Sequence, residues 1–433
     1  MSDRAFRALA PWAIAVTILA IASGSSSVRW VIEHSRGGIR WAALIGLFVF
    51  AFAWAAVRRF DDPFRPPAAA AAWFAALAVA STAWSVDARL TFERAATLVM
   101  LFGAAWGLAC SARGRREVVG SLLDGILLGA VAVAVASLVT LALSHANAVQ
   151  PATLAYGARF EGYSQNPNTL GMLLAPALPI AAWRTAAGAR KRRIGAAAAA
   201  VLLFGELAAT GSRASLAAAL AGLLVLVAFV PRAAAVRVGA AVALTLVFAA
   251  GAAASHVAKP ASVAPPQPQP PPGRLENDAE RKLPLDAEIG LPNGRASVQH
   301  RGLFSSSGRF EAWRGAIRQG DARPVVGYGF GTESRVFVDR YYGFDSTVAE
   351  NAYVGLYLQL GLVGLLSFAA IIAGALVGAW RAREDVTLVA AAVVVGGLAL
   401  AVGQSFFYSV GATGTLPFWF AVFLTTAMRP SAT

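Results

Sequence analysis

The feature that most constrains this chain is its series of long apolar blocks, many of roughly 18 or more residues without a charge. A helix of that length matches the hydrocarbon core of a bilayer, where only helices and closed barrels satisfy their own backbone polar groups. Composition points the same way. The 433 residues are 57% hydrophobic and 14% charged, against about 25% charged in soluble domains. A soluble enzyme, a disordered chain and a secreted disulfide scaffold are thereby excluded. Cys110, the only cysteine, sits inside an apolar block, so neither an intrachain disulfide nor a multi-cysteine zinc site can form. The net charge of +14 would suit a nucleic-acid binder, but for a membrane protein it reflects basic residues retained in cytoplasmic loops. No nucleic-acid partner is expected.

The fold class read from this pattern is an all-α polytopic membrane protein of about twelve spans with one large extracytoplasmic loop. The spans are placed at 8–23, 41–57, 67–84, 94–111, 119–144, 168–187, 194–211, 213–230, 236–257, 350–380, 386–407 and 413–428. The block 350–380 is too long for a perpendicular crossing, so it tilts or begins outside the hydrocarbon. Basic residues set the orientation. With both termini in the cytoplasm, Arg4, Arg7, Arg58, Arg59, Arg65, Arg113, Arg115, Arg116, Arg190 to Arg193, Arg232, Arg237, Arg381, Arg383 and Arg429 fall inside. Fewer fall outside: Arg29, Arg36, Arg40, Arg89, Arg94, Arg159 and Arg213. The chain therefore divides into spans one to nine (1–257), an outer loop (258–349) and spans ten to twelve (350–433). The loop opens with a proline-rich stretch, 260–272, expected to be extended. Within it Phe310, Trp313 and Ile317 recur at helical spacing behind Ser305 to Ser307, predicting an amphipathic helix over 309–318. Gly327, Gly329 and Gly331 predict a turn-rich return to the next span.

Arginines at the outer face are the strongest chemical signal. Arg213 follows Thr210-Gly211-Ser212 between two spans with almost no loop, and Arg159 precedes Asn166-Pro167-Asn168 on the same face. Arg309 opens the amphipathic helix. Singly, each reads as a snorkelling or solvated arginine. Together they form what a diphosphate needs, because guanidinium pairs with phosphate oxygens bidentately and keeps its charge. Glu350, at the mouth of a span, is a candidate because a carboxylate there is costly unless paired, although a helix N-terminus also favours it. Gln359 and Gln404 are expected to join helices. His34, His145, His256 and His300 lack metal-ligand spacing. The run Gly327 to Gly331 has no following lysine and helix, which makes it a turn and not a phosphate loop. The cytoplasmic doublet Asp61-Asp62 argues against a metal-nucleotide-sugar site.

Several ordered motifs resemble the O-antigen ligase and polymerase family. They are Trp84-Ser85-Val86-Asp87, Arg159 with Asn166-Pro167-Asn168, and Thr210-Gly211-Ser212-Arg213-Ala214. Ser307-Gly308-Arg309-Phe310-Glu311-Ala312-Trp313 follows, then Asn351 ahead of Tyr357-Leu358-Gln359-Leu360-Gly361. The span count and single large outer loop match as well, so the resemblance covers most of the chain. It implies a bacterial inner-membrane glycosyltransferase of inverting type, working on the periplasmic face without cofactor or metal. The donor would be a glycan on undecaprenyl diphosphate, and the acceptor lipid A–core for a ligase or another lipid-linked glycan for a polymerase. The resemblance places Arg159, Arg213 and Arg309 at the diphosphate, and Asn168 and Arg314 are read as further candidates for binding it. Glu350, Arg213 and Arg309 are read as catalytic, and Asn351, Tyr353 and Trp313 as acceptor-side supports. One departure stands out: the family's ligases usually carry histidine immediately before the asparagine, where this chain has Glu350. Histidine titrates near neutrality, whereas for a glutamate the nearby arginines weaken the base and desolvation strengthens it, so the departure bears on ligase against polymerase. A lipid-linked glycan transporter would use the same arginines but needs access from both faces. A proton-coupled carrier built on Glu350 finds no relay in the other spans.

Overall fold

The computed structural model describes residues 3–35, 38–56, 67–152, 157–187, 190–229, 244–245, 247–250, 309–337, 346, 348–409 and 411–428. The expected span 236–257 falls mostly outside these residues. So do the proline-rich stretch 260–272, Ser305 to Ser307, Asp61-Asp62 and Arg36, Arg58, Arg59, Arg65, Arg232, Arg237 and Arg429.

The described chain is a helical membrane bundle. Its first half comprises α1 (Asp3–Ser23), α2 (Arg29–Ser35), α3 (Ile39–Ala56), α4 (Ala68–Ala80), α5 (Ala88–Ala112) and α6 (Arg116–Leu143). A short α7 (His145–Ala148) leads into a two-stranded hairpin, β1 (Val149–Gln150) and β2 (Arg159–Phe160). Then come α8 (Pro167–Ala187), α9 (Arg190–Ala209) and α10 (Arg213–Phe229). The last part holds α11 (Arg309–Gly320), α12 (Glu333–Val336), α13 (Ala352–Ala382), α14 (Asp385–Ala401) and α15 (Thr415–Leu424). Among the described residues six helices, α1, α3, α5, α6, α8 and α13, are long and apolar enough to cross a membrane. Helices α4, α10, α14 and α15 are apolar but shorter.

The core is continuous through the bundle and rich in aromatic rings. Phe407 stacks on Phe368 at 4.2 Å, and Trp419 meets Phe102 edge-on at 4.5 Å. Small residues let backbones approach: a Cβ added at Gly222 of α10 would lie 2.9 Å from the Ala392 carbonyl of α14. Ion pairs staple one end of the bundle. Arg184 donates to both carboxylate oxygens of Asp124 (2.6 and 2.7 Å), and Arg116 does so to Asp385 (2.7 and 2.6 Å), where Trp183 Nε1 adds a third bond at 2.9 Å.

The opposite end is roofed by loops, and here the long block resolves into two pieces. Helix α13 breaks at Gly361, whose φ of 59° and ψ of −155° are not helical. Because the ladder is interrupted there, the segment 324–331 inserts its own backbone. Leu362 N donates to Pro324 O (2.8 Å) and Val363 N to Val325 O (3.1 Å). Tyr328 N and Gly329 N donate to the carbonyls of Leu358 and Gln359 (2.9 Å each). The long block is thus two helical pieces, a short one before Gly361 and a longer one after it. Gly327, Gly329 and Gly331 all take positive φ, as a tight return over a packed helix requires.

On α11 the packed face is Ala312 and Ala316 with partly buried Trp313, against Tyr328 and Leu358, whereas Phe310 is 57% and Ile317 42% exposed. Gln404, expected deep in a span, lies beyond the end of α14 in the roof loop 402–414.

Candidate functional site at the looped end

Each arginine is placed by its own device. Arg159 stands on β2, where the hairpin pairs Gln150 with Arg159 and Val149 with Phe160. The following loop is tied down by the Ser26–Ser164 bridge, by Ser27 N to Tyr163 O (3.0 Å) and by the Tyr163 hydroxyl at 2.9 Å from Ser23 Oγ. Arg159 Nε then donates to Thr210 O (2.8 Å) and Nη2 to Asn168 Oδ1 (3.0 Å). Thr210 begins the tight turn between α9 and α10, with Gly211 at φ 60°. Ser212 N donates to Thr210 Oγ1 (3.1 Å). That turn delivers Arg213 as the first residue of α10, partly buried.

Arg213 is within electrostatic reach of Arg309, the first residue of α11. Arg309 in turn is paired with Glu350. Its Nε (3.0 Å) and Nη2 both donate to the same Glu350 oxygen, and both side chains are largely shielded from water. The structure therefore brings Arg159, Asn168, Arg213, Arg309 and Glu350 to one end of the bundle. Exposed Arg314 does not join them: among the described residues no hydrogen bond or ion pair links it to the group.

Glu350 is held in an unusual backbone state, with φ of 48°. A non-glycine residue in the left-handed region costs of order 1–3 kcal/mol and persists only where its surroundings impose it. Those surroundings are on both sides. Trp313 Nε1 donates to Ala349 O (2.8 Å), and Ala349 N donates to Glu333 Oε1 (2.9 Å). Asn351 N donates to Ser405 Oγ (3.1 Å), and the Asn351 side chain caps α13 by accepting from Tyr353 N (3.0 Å) and Val354 N (3.1 Å). Tyr353 sends its hydroxyl to Leu398 O (2.9 Å). Asn351, Tyr353 and Trp313 thus frame Glu350 through backbone and packing.

Sequence reasoning missed the centre of this frame. Glu333, on the short α12, is buried and accepts from Ala349 N, Ser405 Oγ (3.1 Å) and the Tyr408 hydroxyl. Burial pushes its carboxyl up to about 7, opposed by those three bonds. Glu161, beside Arg159, is likewise raised to about 7 by burial, with the Arg159 charge opposing. Glu333 belongs to no periodic pattern. The available signal was polar Ser405 and Tyr408 interrupting the last apolar blocks. The Trp84 to Asp87 motif is a buttress: Val86 N donates to Tyr328 O (3.0 Å), Trp84 Nε1 to Val326 O (3.1 Å), and Asp87 caps α5 and pairs with Arg335 at 3.4 Å.

Chemically, a paired carboxylate beside convergent guanidinium groups can hold a diphosphate and receive a proton. Among the described residues no group of three histidine, cysteine or acidic side chains has the geometry to hold a metal ion. Comparison with curated proteins finds no match. Residues 198–369 match the family model described as O-antigen ligase, a stretch that includes Arg213, Arg309 and Glu350.

Proposed function

We propose that this protein transfers a glycan from an undecaprenyl diphosphate-linked donor to an acceptor hydroxyl at the periplasmic face of the bacterial inner membrane. The carrying observation is the juxtaposition of Arg213 with the Arg309–Glu350 pair, beside the Arg159–Thr210 contact. In this reading the chain has twelve spans, cytoplasmic termini and a division at 257 and 349, so that the looped end faces the periplasm.

The donor diphosphate engages Arg213 and draws Arg309 away from Glu350. The freed carboxylate accepts the proton of the acceptor hydroxyl as its oxygen bonds to the anomeric carbon. The bond from that carbon to the diphosphate breaks, with inversion, and its electron pair leaves on the diphosphate oxygen. Preorganised guanidinium groups stabilise that developing charge, usually the largest single catalytic contribution. Arg159 with Asn168 anchors the turn that carries Arg213. No metal is needed in this scheme. The acceptor is lipid A–core or a similar glycolipid. A polymerase reading, with a second lipid-linked repeat unit as acceptor, is favoured specifically by glutamate at position 350. Purified protein in liposomes, given lipid-linked repeat unit with and without lipid A–core, tests this. Product only with lipid A–core marks a ligase, and a ladder from donor alone a polymerase. Absence of product with either sinks both, and would turn attention to a lipid-linked glycan transporter.

A further inference from the structure

A second pair of arginines, Arg40 and Arg94, meets at the same end of the bundle and outside the group already described. Arg40 stands at the start of α3. A Cβ added at Gly24 would lie 3.7 Å, and one at Gly411 3.4 Å, from its Nη1. The guanidinium therefore sits between the end of α1 and the roof loop 402–414. Arg94, one and a half turns into α5, reaches the same loop from the other side, with Nη1 3.4 Å from Ser409 Oγ. Ser409 and Gly411 are two residues apart, and the two positive charges repel each other. Both side chains are partly buried. Among the described residues neither forms an ion pair, and Glu93, the acidic neighbour acting on Arg94, is exposed and already bonded to Arg89 at 3.0 Å. Contrast the stapled end, where Arg184 and Arg116 each meet a carboxylate.

Two like charges held together away from bulk water are costly unless an anion lies between them. Arginine forks suit phosphate oxygens. We infer that Arg40 and Arg94 form a second anion site, which takes a phosphate group carried by the acceptor glycolipid or by a bilayer headgroup. The roof loop connects it to the first site: Ser405 bonds the Asn351 backbone beside Glu350, and Ser409, four residues on, is at most about 14 Å away. An acceptor anchored by phosphate at Arg40 and Arg94 would present a nearby hydroxyl towards Glu350. This last assignment rests on the transferase reading, whereas the site itself does not.

The test is equilibrium dialysis of labelled inorganic pyrophosphate against the full chain in phosphatidylcholine nanodiscs. Wild type is expected to bind two per chain. The double variant Arg40→Gln/Arg94→Gln binds one fewer, and Arg40→Lys/Arg94→Lys, which keeps the charge, restores the second. Equal uptake by wild type and the glutamine variant overturns the site, as does a lysine variant that fails like the glutamine one. Arg213→Gln/Arg309→Gln removes the other equivalent. If it removes none while the Arg40 and Arg94 equivalent persists, the diphosphate reading falls and the second site stands. Replacing half of the phosphatidylcholine by phosphatidylglycerol separates the sources. Several-fold weaker uptake at the second site identifies a headgroup as its occupant, and unchanged uptake identifies the acceptor.

Discussion

Arg309 donates from Nε and Nη2 to one carboxylate oxygen of Glu350, so the residue proposed to hold the leaving group and the residue proposed to take the proton neutralise each other before substrate arrives. In the proposed reaction this pairing keeps the site silent at rest, and a diphosphate that captures Arg309 frees the Glu350 carboxylate.

The two partners should accordingly fail differently. Glu350→Gln is expected to retain donor binding while the transfer rate falls by about 10²–10⁴, the range for loss of a general base. Arg309→Ala is expected to raise the donor KM as well as lower kcat. Steady-state transfer assays with varied donor distinguish the two, and a Glu350→Gln variant at full kcat would remove the carboxylate from the chemistry.

Stability should depend on pH through Glu333 and Glu161. Both carboxyls are raised from 4.5 to about 7 in the folded chain by burial, so below 4.5 the folded and unfolded states are equally protonated. As pH rises from 4.5 through 7, the unfolded chain releases its protons first and stability is progressively lost. Thermal unfolding in nanodiscs is expected to show Tm falling across this window. The slope should be shallower in Glu333→Gln, and an unchanged slope would contradict the buried acid.

Gly361 should tolerate no side chain. Its φ of 59° lies in the left-handed region, and a Cβ there would run into the Val325 backbone. Gly361→Ala is expected to cost about 1–3 kcal/mol and to loosen the 324–331 segment. Limited proteolysis or hydrogen exchange over that segment, compared with Gly205→Ala as a control at a helical glycine where an added Cβ meets nothing within 4 Å, checks this.

Much of the membrane architecture was legible because apolar block length reports directly on bilayer thickness. That Arg159, Arg213 and Arg309 share one end of the bundle was legible too, since their motifs fall in segments on the same face of the spans. What periodicity could not give was depth along the axis: a loop that inserts backbone into a broken helix at Gly361 leaves only glycines as its trace. Nor could it give Glu333, whose role arises from Ala349, Ser405 and Tyr408 meeting it across 16, 72 and 75 residues of chain. The apolar spacing of Phe310, Trp313 and Ile317 predicted the helix but not which face packs on the protein, which is that of Ala312 and Ala316.

The central claim is that convergent arginines drive departure of a lipid diphosphate. It is tested most directly by Arg213→Ala and Arg309→Ala in liposomes charged with undecaprenyl diphosphate-linked repeat unit and lipid A–core. The account predicts that each variant folds, inserts and transfers glycan about 10²–10³-fold more slowly than wild type. Full transfer by both variants would contradict it.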